Sequence, residues 1–277
     1  MYNLLIAIGL SLGALLVGYG LAGSLIAGIL PAVVTFIAAY MYLARKSLAQ
    51  LEAIMGRAND EMKVFQTMAP PTSLAEYNRL LALRTEKLQK TRDIMAAGFP
   101  LAKWQYLVAE QLHAQLGALD YMEQKYTNAR PHLEKAWSRN WQSHAMLSCI
   151  DFREGNKDGA VARMEKLEGV ASKEGVYWGL AVWLALEAGK RDKALQLLAK
   201  GVVAAPSSEP LKQMDVAVRN GKAPDVHAFA PTWYHFFPEQ VPQQQVQANQ
   251  QPTAEQVEMM KRYEAEKRKF KPPTPRR

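Results

Sequence analysis

Apolar residues run almost unbroken from Met1 to Ala44, and the first charged side chain is Arg45. A helix rises about 1.5 Å per residue and a bilayer's hydrocarbon core is roughly 30 Å thick, so one helix of this length overshoots a membrane while two fit. The run predicts a transmembrane hairpin, Leu4 to Tyr19 and Ser24 to Leu43, turning among Gly18, Gly20, Gly23 and Ser24. Pro31 falls inside the second span, where a kink is tolerated. From Leu48 the pattern becomes a seam. Leu48, Leu51, Met55, Ala58, Met62 and Phe65 recur in steps of three and four, the period of an amphipathic helix. Ala69-Pro70-Pro71 ends that helix, and Ser73 with Glu76 reads as the capping box of another reaching about Ala97. Its seam of Leu74, Tyr77, Leu81, Leu88 and Met95 predicts an antiparallel stalk hairpin, the alternative being a parallel coiled coil between two copies.

Further along, small residues recur at Ala129, Ala160 and Ala194, 31 and then 34 residues apart. Around them lie Leu116-Gly117, Tyr126 and Leu133; then Leu147-Ser148, Gly155-Asn156 and Met164; then Ala181-Val182, Gly189-Lys190, Leu198, Gly201 and Pro206. Small residues let two helices approach, bulky ones fill the next groove, and Gly supplies the turn. The pattern resembles the tetratricopeptide repeat over about residues 101 to 208, and Gly189, Ala194, Leu198 and Pro206 make the third unit its most specific part. The first two units lack the early Trp of that pattern. Pro100 suits the first turn of the opening helix, and Ser207 or Ser208 can cap a last helix containing Leu211, Met214 and Val218.

The expected fold is all-α. It comprises a transmembrane hairpin over 1–44, a stalk hairpin over 45–99, a short tetratricopeptide-like solenoid over 100–221, an aromatic then Pro/Gln-rich linker over 222–252, and a disordered basic tail over 253–277. Gly9 with Gly13, and Ser24 with Gly28, have the small-residue spacing of close transmembrane packing, read first as contact between the two spans and second as oligomerisation. Arg45 and Lys46, followed by Arg57 and Lys63, place the soluble part on the cytoplasmic side of an inner membrane; a single embedded span could reverse this topology.

The net charge is +8, and half of it comes from the tail, which has eight basic against four acidic residues. Arg45, Lys46, Lys261, Arg262, Lys267, Arg268, Lys269 and Lys271 are candidates for contact with anionic lipid, worth roughly 1 kcal/mol per basic residue near the surface. A solvated tail is the bland alternative. Nucleic-acid binding ranks below both, because no aromatic interleaving accompanies the charge. One cysteine, Cys149, excludes an intramolecular disulfide framework and a multi-cysteine metal site. The five histidines are scattered rather than set at metal-ligand spacing, and no phosphate-binding glycine loop occurs. The reading is of a protein that is not an enzyme and holds no cofactor.

By the family resemblance, the concave wall falls on Ala114, Ala118 and Tyr121, on Ala145, Cys149 and Phe152, and on Gly179, Trp183 and Leu186. Tyr121, Cys149, Phe152, Trp183 and Leu186 would form a groove for a protein partner, although several could equally be core. The wall lacks the Lys, Arg and Asn of domains that grip a chaperone's carboxylate tail. Phe229, Trp233, Tyr234, Phe236 and Phe237 put five aromatics in nine residues, a patch costly to leave in water. The expectation is that this extended segment docks along the wall, the rival being a recognition motif buried only against a partner. The layout resembles bacterial inner-membrane tetratricopeptide proteins, including the HemY type associated with haem metabolism, whose repeat regions are longer. It implies an adaptor that assembles proteins at the membrane. The alternatives are a structural subunit oligomerising through its spans and stalk, and a HemY-like haem role.

Overall fold

The computed structural model describes residues 1–67 and 74–240, and among them the regular structure is helical, with no strand. The first two helices, α1 (Tyr2–Ala22) and α2 (Leu25–Thr67), form an antiparallel hairpin, and each is long and apolar enough to cross a membrane. Gly23 adopts a left-handed φ of 64° and donates its N–H to the Tyr19 carbonyl at 2.8 Å. The turn is therefore confined to Gly23 and Ser24, and Gly18 and Gly20 remain helical, contrary to the broader turn expected. Pro31 stays within α2.

The two helices meet through small residues. Ala7 is fully buried, Gly28 and Ala32 are buried, and a Cβ on Gly18 would lie 2.7 Å from the Gly28 Cα. Gly9 and Gly13 take no part, with nothing within 4 Å of a Cβ on either. The expectation that they form the intramolecular contact is corrected: four-residue spacing defines a stripe, but Ala7 and Gly18 lie on the face that points at α2.

α2 passes without interruption from the apolar run into the stalk, so the boundary expected at residues 44 and 45 lies inside one helix. The break at Ala69-Pro70-Pro71 and the cap at Ser73 and Glu76 lie outside the residues whose structure or side chains are described, as do the side chains of Leu74 and Tyr77. From there α3 (Leu74–Ala96) returns antiparallel along the distal part of α2. Glu61 bridges Lys87 at 2.7 Å and Lys90 at 2.6 Å, and Leu51, Ala58 and Met95 are buried with Val108, Leu112 and Leu116.

Next comes a 3-10 turn, Phe99–Lys103, carrying Pro100 in its first turn. The first helix after this turn, α4 (Val108–Met122), begins later than expected, because Leu107 breaks the chain with φ 67°. Packed against α4 is α5 (Tyr126–Leu133), followed by the pair α6 (Trp141–Arg153) and α7 (Lys157–Lys166). A short helix that the sequence pattern did not predict, α8 (Glu168–Ala171), leads to α9 (Gly175–Glu187) and α10 (Arg191–Ala204). The last helix is α11 (Glu209–Arg219); its N-cap is Ser208, whose side chain makes no capping bond and instead lies over Gly175.

Ala129, Ala160 and Ala194 are fully buried in the second helices of the three pairs. Gly117 lets α5 approach, since a Cβ there would be 2.8 Å from Leu133 Cγ. The first helices end alike. Gln124, Gly155, Gly189 and Gly221 have positive φ, and the next residue's N–H returns to the carbonyl of Asp120, Asp151, Ala185 and Ala217 respectively. These are Schellman ends. By this geometry α11 ends as α4, α6 and α9 do.

An ionic joint also repeats. Arg92 of α3 bonds Asp120 at 2.7 Å and pairs with Glu123. Arg130 of α5 bonds Asp151 at 2.8 Å and Glu154 at 2.6 Å, with Arg163 Nε on the second Asp151 oxygen at 2.9 Å. The second helix of one hairpin thus grips the Asp-x-x-Glu end of the next hairpin's first helix, and the stalk joins α4 in the same way as α5 joins α6.

Candidate protein-interaction site

The first helices α4, α6 and α9 present the wall predicted to be concave, and residues 226–240 lie on it. This segment is folded into 3-10 turns, Val226–Phe229, Thr232–His235 and Pro238–Gln240, rather than extended as expected; the Ala230–Pro231 peptide is cis. Short turns separated by Ala230-Pro231 and Phe237-Pro238 let successive aromatic rings face the same surface. Trp233, Phe236 and Phe237 are at most 2% exposed, and Phe229 and Tyr234 are buried.

Each ring has a seat. Phe229 lies over Gly179, where a Cβ would come 2.5 Å from the ring's Cζ. Trp233 meets Trp183 edge-on at 5.8 Å and stacks on Phe237 at 5.1 Å, and its indole N–H donates to Gln240 at 2.8 Å. Phe237 reaches Trp183 at 4.7 Å, and Phe236 lies 6.0 Å from Trp141. Aromatic pairs in these geometries add about 0.5–1.5 kcal/mol each beyond the area they bury.

The far end of the segment is held by Arg153, which donates to the Tyr121 hydroxyl at 2.7 Å, to the Phe236 carbonyl at 3.1 Å and to Glu239 at 2.6 Å. Tyr121 in turn donates to the same Phe236 carbonyl at 2.5 Å. The guanidinium also sits over the rings of Tyr126 and Phe237, 4.7 and 4.9 Å from their centroids. Burial raises the Tyr121 hydroxyl well above its ordinary pKa, keeping it a donor. Nothing in the sequence pattern singled out Arg153, because its partners lie in three separate stretches of chain.

Tyr121 and Cys149 are fully buried, and Phe152, Trp183 and Leu186 half-buried, so the five predicted groove residues form the floor and flank beneath the chain's own strap. Burial pushes the Cys149 thiol up to about 12. The scattered histidines are not all apart: His113 and His132 approach to 2.9 Å between their Nδ1 atoms, with Phe99 against His113. Burial, and then the neighbouring His132, hold His113 below its ordinary pKa. No group of three or more His, Cys, Asp or Glu side chains placed to hold a metal ion occurs among the described residues.

An open surface lies elsewhere. A groove of about 510 Å³ runs between the stalk and α4, lined by Met55, Met62, Met95, Leu119 and Met122 with the small residues Gly56, Ala58 and Ala118 and the polar Asn59, Thr91 and Gln115. A notch of similar size between α7 and α10 is polar and crossed by the ion pairs Lys190–Asp158 and Lys193–Glu165. Arg45 and Lys46 are exposed at the base of the stalk. The remaining lipid-contact candidates, Lys261, Arg262, Lys267, Arg268, Lys269 and Lys271, lie outside the described residues, as does the Gln-rich stretch.

Fold and site together define an all-helical protein with an apolar N-terminal hairpin and a stack of helical hairpins closed by an aromatic strap. No protein-family model, curated protein or solved structure gives a significant match to the chain.

Proposed function

We propose that the protein is a membrane-anchored scaffold of the tetratricopeptide type that holds a partner protein at the cytoplasmic face of the membrane. The observation that carries this reading is the contrast between an occupied wall and an open groove. Residues 226–240 take the surface where such a solenoid would seat a peptide, while the methionine-lined groove between stalk and α4 has no occupant among the described residues. Methionine side chains are flexible and polarizable and adapt to varied apolar partners. Three helices line the groove, and its mostly apolar lining suits the apolar face of an amphipathic helix. The repeated alanines and left-handed turns support the family resemblance, and Arg45 and Lys46 beside the second span support the cytoplasmic orientation.

A photo-crosslinking residue placed at Met62 and at Met122 in living cells tests the reading. It expects one recurring foreign protein at both positions, and crosslinks to neither position would contradict it. A structural subunit that oligomerises through its spans is the second reading, favoured by the open space around Gly9 and Gly13. Native mass spectrometry in detergent separates the two, because a defined homo-oligomer supports the subunit and a monomer supports the scaffold.

A further inference from the structure

The N-terminus of α1 is fastened to a part of the chain one hundred residues away. The Met1 ammonium donates to the Lys103 carbonyl, and the Asn3 N–H donates to the Trp104 carbonyl at 3.2 Å. The Asn3 side chain, 2% exposed, donates to Ser47 Oγ at 2.8 Å and to the Leu43 carbonyl at 3.2 Å, and approaches Gln105 at 3.3 Å. Gln105 in turn reaches the Tyr40 hydroxyl at 3.4 Å. These bonds fix residues 103–106 at the level where both apolar helices leave the apolar run.

At that level the side chains are amphipathic. Tyr2 packs edge-on against Trp104 at 5.3 Å, yet Tyr2, Trp104, Tyr106 and Tyr42 are all exposed, and Lys103, Arg45 and Lys46 stand exposed beside them. Trp104 and Tyr106 share a cavity of about 280 Å³ with Met1, Leu4, Gln105 and Tyr40. Leu4 and Tyr40 lie about one helical turn inside the apolar run from Met1 and Leu43, so the cavity opens toward that run. Trp and Tyr rings with an apolar body and a polar tip concentrate where headgroups meet acyl chains.

We infer that residues 103–106 form a bilayer seat: Trp104 and Tyr106 enter the headgroup–acyl boundary of the membrane the hairpin spans, and Lys103, Arg45 and Lys46 meet its phosphates. The inference rests on the membrane reading of α1 and α2 and adds a third contact, made by the soluble part, that fixes the stalk's angle to the membrane. Exposed aromatics beside a transmembrane hairpin's end have the bilayer itself as their nearest apolar phase, so the occupant is lipid.

Fluorophore attachment at single introduced cysteines tests it in the full chain, reconstituted in phosphatidylcholine nanodiscs with or without bromine near the glycerol end of the acyl chains. Positions Leu30→Cys, Tyr106→Cys, Trp104→Cys and Val203→Cys are compared; buried Cys149 is checked by labelling the unsubstituted chain. The seat requires blue-shifted emission and loss of emission in brominated discs from Tyr106→Cys or Trp104→Cys, with none from Val203→Cys. Quenching at Leu30→Cys without quenching at either seat position overturns the seat and leaves the hairpin in the membrane. No quenching at Leu30→Cys overturns the membrane reading and the seat with it.

Discussion

The apolar hairpin and the strapped stack of helical hairpins are both rich in hydrophobic residues and bury opposite kinds. In the hairpin the small residues Ala7, Gly28 and Ala32 face inward, while Leu16, Leu21, Ile26 and Leu30 are 69–85% exposed. In the helical stack the large side chains Trp178, Trp233, Tyr177 and Phe236 face inward and are essentially sealed. In water, burying the largest apolar surfaces gives the greatest return, about 25 cal/mol per Å². In lipid that drive is absent, and close backbone approach through small residues takes over. The hairpin's large exposed apolar surface over a small-residue interface is the arrangement an apolar solvent favours, and the sealed large side chains of the helical stack are the arrangement water favours.

The largest expected effect is on the water-built side. Trp233→Ala removes a fully buried indole with seats on Trp183 and Phe237, and is expected to cost about 3–5 kcal/mol in a urea melt of the detergent-solubilised chain. Leu30→Ala, although it also truncates a large apolar residue, should change stability by no more than about 0.5 kcal/mol. Equal losses would erase the contrast.

Next is the joint between the regions. Arg92→Ala leaves buried Asp120 without its cation and should lower stability by about 3 kcal/mol, the usual scale for breaking a buried pair. Arg130→Ala is expected to cost less, because Arg163 stays on Asp151. Within the hairpin, Gly28→Val forces Cβ toward the Leu15 carbonyl and should weaken pairing by about 1–3 kcal/mol in an SDS titration. Gly9→Val, with open space around it, should leave pairing intact.

The smallest effect is on acidification. Burial holds both His113 and His144 below their ordinary 6.5. The folded state therefore favours the neutral rings, and stability is full above pH 6.5 and falls as the pH drops through the folded pKa values. Urea midpoints across this window should decline, and His113→Gln should make the decline shallower.

The sequence carried the parts of this architecture that repeat or run long. The unbroken apolar stretch, the seam from Leu48 to Phe65 and the alanines at 129, 160 and 194 each leave a period that can be read without coordinates. The aromatic cluster from Phe229 to Phe237 was visible by composition, but its 3-10 turns were not, since they depend on where Gly179 and Trp183 accept the rings. Gly9 and Gly13 misled because spacing does not say which stripe faces the neighbour. The Asp-x-x-Glu pairs at 120 and 151 were a readable signal for the ionic joints, once aligned to the repeat; the Arg153 clamp and the His113–His132 contact were not, because tertiary packing alone brings those residues together.

The most direct test is the occupancy of the wall in the living cell. A photo-crosslinking residue at Phe152, beside Trp183 on which the strap's Trp233 and Phe237 pack, should be captured by residues 226–240 of its own chain. A recurring foreign protein at Phe152 in place of the strap would contradict the account, and would return the binding site to the concave wall.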